Sequence, residues 1–257
     1  MAFERYRSAL LSAQDIHDPA LLIGEEGSLA VRYAPFEYVN PAAKVIILGI
    51  TPGEVQANEA LRTARAALQR GLHDAEAMRL AKAAASFAGP MRANLIAMLD
   101  YISVAGALGI PTTASLWSKD LRLVQFASAL RYPVFRAGKN YTGSNPGMTS
   151  SRLLREQLLA HTGAELASLP DALVVPLGPA VVEACRWLAA EGCVSRDRLI
   201  EGMPHPSGAN GERISYFLGR KERAALSLKT DPAKLDAGRQ NAMDTVRGWT
   251  EGNRVFT

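Results

Sequence analysis

Val45-Ile46-Ile47-Leu48 is an unbroken apolar run, closed by Gly49-Ile50-Thr51-Pro52-Gly53. A strand with one wet face alternates apolar and polar residues. A continuous run of this length predicts a strand covered on both faces, as in a parallel sheet. The pattern returns at Ala172-Leu173-Val174-Val175-Pro176-Leu177, closed by Gly178-Pro179. Helical spacing fills the stretches between, so the class is α/β with a mainly parallel sheet. In such sheets ligands bind beyond the carboxyl ends of the strands, where these glycine–proline turns lie.

The rest of the chain is read around those two runs. The first 40 residues read as a short helix followed by irregular chain to Asn40-Pro41. Residues 55 to 86 read as one or two helices broken at Gly71. Met91, Leu95, Met98, Ile102 and Ala105 recur at helical spacing and predict one amphipathic helix over 91 to 107. Leu121 to Leu130 is a strand candidate, 136 to 149 a loop, and Leu154 and Leu158 open a helix. Val181, Cys185 and Leu188 form the stripe of a helix after Gly178-Pro179. Arg198 to Met203 is the last strand candidate, and a polar helical tail starts near Asp231. A chain of 257 residues, 48% of them apolar, suits a single domain. Its core is expected at about 40 to 225, with the N-terminal helix and C-terminal tail packed on it.

Other features narrow the function by exclusion. The formal net charge of +4 is compatible with nucleic acid but decides nothing. Cys185 and Cys193 are read as reduced, with a bridge between them as the lesser alternative. Neither lies in a Cys-x-x-Cys pair, so no metal or cofactor is expected. No signal peptide or membrane span is legible, so a cytoplasmic protein is expected. Gly-x-Ser-x-Gly, the P-loop and His-Glu-x-x-His are all absent. Arg65, Arg70, Arg79 and Lys82 read as a solvated helical face, and Lys139-Asn140-Tyr141-Thr142-Gly143 as an exposed loop.

The two turns carry the chemistry. Pro52 fixes its own φ and holds Thr51 towards extended angles, while Gly49 and Gly53 leave space. The expected result is a rigid floor of exposed backbone N–H groups with one hydroxyl, that of Thr51. In Met203-Pro204-His205-Pro206-Ser207-Gly208, two prolines clamp a histidine at a predicted strand end. A neutral imidazole N–H there stabilises negative charge on a leaving group without proton transfer.

Gly49-Ile50-Thr51-Pro52-Gly53 resembles the first motif of the uracil-DNA glycosylase superfamily, one residue from the Gly-Ile-Asn-Pro-Gly of the mismatch-specific uracil and thymine DNA glycosylases. His205-Pro206-Ser207 resembles the second motif. Phe87-Ala88-Gly89-Pro90 and the 172 to 184 segment are similar to parts of the thermostable, iron–sulfur branch, without its cluster cysteines. The resemblance implies a three-layer α/β/α sandwich around a four-stranded, mainly parallel sheet. It implies DNA across the carboxyl edge and a target nucleotide swung out into a pocket. Under it, His205 bonds the base carbonyl oxygen and Thr51 occupies the water-positioning place. Gly49, Ile50, Pro52, Gly53, Phe87 and Ser128 line the base pocket, with Phe87 stacking on the base. Ser207, Gly208, Asn210 and Arg213 contact DNA, from the loop that enters the groove. Gly53 stands where the most uracil-strict branch carries a tyrosine, so a roomier pocket is implied.

Two positions depart from the pattern. Thr51 offers neither carboxylate nor amide, and Ser128 falls near an asparagine that reads the uracil edge. The expectation is a monomeric, monofunctional DNA glycosylase that removes uracil or a related deaminated or modified base. The alternative is a nucleic-acid or nucleobase binding module on the same fold, and a third reading is an α/β enzyme acting on a free nucleotide or another small ligand.

Overall fold

The computed structural model describes residues 2–84 and 90–254. In chain order these form α1 (Ala2–Ser12), β1 (Leu22–Glu26), β2 (Leu29–Arg32), β3 (Val45–Gly49), α2 (Glu54–Gln69), α3 (Asp74–Ala84), α4 (Pro90–Tyr101) and α5 (Val104–Ala107). There follow β4 (Val124–Ser128), β5 (Val134–Arg136), β6 (Lys139–Asn140), α6 (Arg152–Gln157), α7 (Ala164–Ser168), β7 (Leu173–Pro176), α8 (Pro179–Ala190), α9 (Gly211–Phe217) and α10 (Pro232–Arg254). The chain divides into two compact units, each made of three separated segments.

The first unit comprises residues 1–39, 49–86 and 126–165. Its sheet is antiparallel, in the order β1-β2-β5-β6. The β1–β2 hairpin falls in a stretch expected to be irregular, and β5–β6 reaches into an expected loop. Both escape a search for apolar runs: β1 is a half-exposed Leu-Ile-Gly-Glu-Glu, and β6 is Lys139 and Asn140, both exposed. Gly27 (φ 59°) closes the first hairpin, and Ala137 and Gly138 (φ 47° and 74°) close the second. Successive left-handed residues match the twist of a tight hairpin. Tyr6 stacks on Tyr33 at 4.6 Å between ring centroids, and Tyr33 packs at 5.6 Å from Tyr132.

Charge is also buried in this unit. The Glu165 carboxylate, 3% exposed, meets Arg131 at 2.8 Å and Lys82 at 3.4 Å. Lys82 also donates to the carbonyls of Tyr38 (2.6 Å) and Phe36 (3.3 Å). The solvated face expected along α2 and α3 therefore holds only in part. Arg70 and Arg79 are exposed, but Arg65 is half-buried on the carbonyls of Leu10 and Ala13, and Lys82 is interior.

The second unit comprises residues 40–48, 87–125 and 166–257. Within it β3 pairs in parallel with β7, Val45 opposite Leu173 through Leu48 opposite Pro176. Val45, Ile46, Ile47 and Leu48 are fully buried, as are Leu173, Val174 and Val175. Each such side chain contributes about 1.5–3 kcal/mol of transfer free energy. The parallel sheet has the order β4-β3-β7, three strands. The fourth candidate, Arg198 to Met203, supplies one parallel bridge from Leu199 to Val174, with Ile200 N–H on the Val174 carbonyl at 2.9 Å. It then leaves extended pairing at Gly202 (φ 91°).

Two fastenings fix the strand ends in this unit. Asn40 donates its side-chain amide to the carbonyls of Leu121, Arg122 and Val124, while its N–H reaches the buried Gln125. Gly202 touches Gly238 of α10 so closely that a Cβ on Gly202 would fall 2.3 Å from the Cα of Gly238. The single helix expected over 91 to 107 is two, because Ser103 adopts a left-handed conformation (φ 68°) between α4 and α5.

Candidate functional site

The Gly49–Gly53 turn belongs to the first unit. Beyond β3, the carbonyls of Gly49 and Ile50 accept the N–H groups of Ala129 (2.8 Å) and Leu130 (2.9 Å). Thr51 then uses its hydroxyl twice. Oγ1 donates to the Tyr132 carbonyl at 3.0 Å and accepts the Val134 N–H at 3.0 Å. The hydroxyl expected to hold a water is thus a clasp between the turn and the entry to β5. Pro52 is buried, and the other turn residues are half-buried.

The exposed N–H groups expected on this floor are partly spoken for. Gly53 N–H donates to Gln56 Oε1 and Glu54 N–H to Asn140 Oδ1, both at 3.0 Å, which caps the start of α2. Gly53 has ordinary extended angles (φ −77°, ψ 167°), so its contribution is its missing side chain rather than its freedom. The place of that side chain lies 3.7 Å from Asn140 Nδ2. Asn140 was hidden in the sequence inside an unremarkable basic loop. Its role depends on the β5–β6 hairpin, which no local pattern announced. Ser128 ends β4 half-buried, and its carbonyl accepts the Thr162 hydroxyl at 3.2 Å. Phe87 lies outside the described residues.

His205 belongs to the second unit, where its ring packs against Gly178 at the end of β7. Gly178 has φ 95°, and a Cβ there would stand 3.0 Å from the imidazole Cδ2. Pro204 and Pro206 are buried on either side. The Pro206 carbonyl accepts the side-chain amide of Asn94 from α4 at 2.9 Å. The Ser207 N–H donates to His205 Nδ1 at 3.2 Å. An Nδ1 that accepts carries no proton, so the neutral ring carries its hydrogen on Nε2. Burial pushes the pKa of His205 below its ordinary value and favours that neutral form. Among the described residues Nε2 has no hydrogen-bond partner. It remains available as a donor.

The turn continues into a chain of side chains. Asn210 Nδ2 donates to Ser207 Oγ at 3.1 Å, Arg213 Nη1 donates to Asn210 Oδ1 at 2.8 Å, and Arg213 Nη2 donates to the Lys229 carbonyl at 3.2 Å. Arg213 is exposed but spends its guanidinium on protein, while Gly208 and Ala209 face solvent.

Among the described residues no group of three His, Cys, Asp or Glu side chains is placed to hold a metal. Cys185 and Cys193 are both free thiols, Cys185 buried. Among those residues no helix is long and apolar enough to cross a membrane.

The uncharacterized protein YoxB of Bacillus subtilis (strain 168) is 36% identical to this chain over 231 residues, which cover 89% of this chain and 90% of that one. No protein-family model matches the chain. No solved structure matches it.

Proposed function

We propose that this chain, which belongs to one family with YoxB of Bacillus subtilis, is a monofunctional DNA glycosylase acting on uracil or a related deaminated or modified base everted from DNA. The observation that carries the reading is the state of His205. It is seated at the end of a buried strand, is neutral by burial, and is locked by Ser207 into the tautomer with a donor at Nε2. The bond from the sugar C1′ to the base nitrogen breaks, and its electron pair leaves on the base. The Nε2–H group donates to the base carbonyl oxygen on which that charge collects, and the imidazole gives up no proton. Water then bonds to C1′, losing its proton to solvent. The same reading takes the Leu199 bridge as the stub of a fourth parallel strand in a three-layer glycosylase fold.

Thr51 favours a second reading, a binding module on the same architecture. Its hydroxyl is committed to Tyr132 and Val134, and neither a carboxylate nor an amide stands at that position. The two readings separate in one experiment. Labelled duplexes and single strands carrying uracil, hypoxanthine, xanthine or mismatched thymine are incubated with the protein and treated with alkali. Cleavage at the lesion that disappears in His205→Ala is expected. Salt-dependent binding without cleavage would select the module.

A further inference from the structure

Tyr132 is engaged at both ends. Its carbonyl accepts the Thr51 hydroxyl at 3.0 Å, and the same Thr51 oxygen accepts the Val134 N–H. Its own hydroxyl donates to Glu37 Oε1 at 3.2 Å. One residue thus ties the Gly49–Gly53 turn to a carboxyl that follows β2, all within the first unit. Glu37 is poorly provided for as an anion. Its Oε2 and the Tyr33 hydroxyl are buried with no partner in hydrogen-bond geometry among the described residues. The nearby cations are already taken. Arg131 and Lys82 make their ion pairs with Glu165, and Glu37 interacts with both only through charge. Burial therefore pushes the Glu37 carboxyl above its ordinary value, against the pull of its own N–H, Tyr33, Tyr132 and Arg131.

We infer that Glu37 is a proton-operated latch on the Thr51 turn, gripping it through Tyr132 when ionised and slackening when it takes up a proton. A hydroxyl donated to a carboxylate makes a bond about twice as strong as one donated to a neutral acceptor. A protonated Glu37 also carries an O–H of its own, which competes for the tyrosine oxygens. Its attraction to Arg131, the residue before Tyr132, is lost as well. The other groups at this centre do not loosen it in acid. His161 stands edge-on to the Tyr132 ring at 4.9 Å. Burial first, and then the Arg131 charge, push its pKa down to about 4, so the ring stays neutral. Burial pushes the Tyr33 and Tyr132 hydroxyls up, with Asp74 acting on Tyr33 and Tyr6 on Tyr132, so both keep their protons. Burial pushes Lys82 down while Glu165 pulls it back, and acid only secures that charge. Acid thus has two opposite effects through Glu37. The cost of a buried carboxylate disappears as pH falls through the raised pKa towards the ordinary 4.5, which stabilises the fold. The same proton weakens the hold on the turn.

The latch belongs to the first unit alone and works whatever the turn binds. Full-length wild type, Glu37→Gln and Tyr132→Phe are compared from about pH 8 down to about pH 4, a range that spans the ordinary carboxyl value. Carboxyl NMR on glutamate-labelled protein follows Glu37, identified by its absence from the glutamine variant. Hydrogen exchange follows the Val134 N–H, with the Ile200 N–H of the second unit as control. Exchange is expressed as protection relative to an unstructured chain, which removes its intrinsic pH dependence. Glu37 is expected to titrate above 4.5. Val134 protection in wild type is expected to fall about tenfold across that titration, with no such step at Ile200. Both variants are expected to show the lower Val134 protection at every pH. The urea midpoint of Glu37→Gln is expected above that of wild type at about pH 8, with the gap closing in acid. A Glu37 that titrates at or below 4.5 would overturn the latch. So would Val134 protection that ignores pH in wild type. A step retained in Tyr132→Phe would overturn it too, because the grip would not pass through that hydroxyl.

Discussion

The imidazole of His205 rests on the backbone of Gly178, close enough that the smallest side chain there would press on the ring at 3.0 Å. Gly178 also holds φ 95°, a conformation that L residues adopt at a cost of about 1–3 kcal/mol. Gly178→Ala therefore strains the turn and tilts the ring together. Single-turnover excision should fall about tenfold or more, and urea unfolding should show a stability loss of about 1–3 kcal/mol. A variant with normal kinetics would break the link between this seat and the chemistry.

The depressed pKa of His205 has a direction that can be measured. The folded protein resists protonation at pH values where the unfolded chain, titrating near ~6.5, accepts a proton. From this group, stability is lost as pH falls below that value, until the folded site itself titrates. Protonation also cancels the Ser207 bond to Nδ1. The excision rate should stay flat from pH 8 through neutrality and decline only below about 6.5. A profile that declines from pH 8 downward would contradict a neutral donor.

Thr51 offers a separation of structure from catalysis. Thr51→Ser keeps an oxygen for Tyr132 and Val134, whereas Thr51→Val leaves both backbone groups without it. The serine variant should retain excision and stability. The valine variant should lose about 1–3 kcal/mol by denaturant titration. Equal loss of rate in both variants, with stability intact in the serine form, would return the hydroxyl to a direct role at the reacting atoms.

Removing the Glu165 carboxylate takes an ion-pair partner from two buried cations. Lys82 and Arg131 have side chains only 10% and 13% exposed; both form ion pairs with Glu165, and the Glu37 carboxyl acts on both as a further acid. Glu165→Ala should cost about 3–5 kcal/mol and lower the thermal midpoint accordingly. Replacing the acid and Lys82 together with methionines should recover much of that loss, as calorimetry of the pair would show.

These outcomes bear on what a reader of the bare sequence sees. Val45 to Leu48 and Leu173 to Val175 were legible because every side chain is buried, so an unbroken apolar run survives in the sequence. The β1–β2 hairpin was not, since its strands are short, half-wet and glutamate-bearing. Lys82 looked solvated because its partner lies 83 positions away, beyond any periodicity argument. At the site, the clamped His205 could be read from its two prolines. Its tautomer depends on one N–H two residues on, and Asn140 depends on a hairpin that brings it 86 positions back to Glu54.

The contact between Gly202 and Gly238 gives the final helix a mechanical part. Backbone meets backbone there with no side chain to cushion the joint, three residues before His205. A tug on α10 from a fused partner, a surface tether or a protease nick would be passed to the histidine turn without slack. A chain cut before Asp231 would keep His205 and Ser207 and still lose the anvil against which their turn is held.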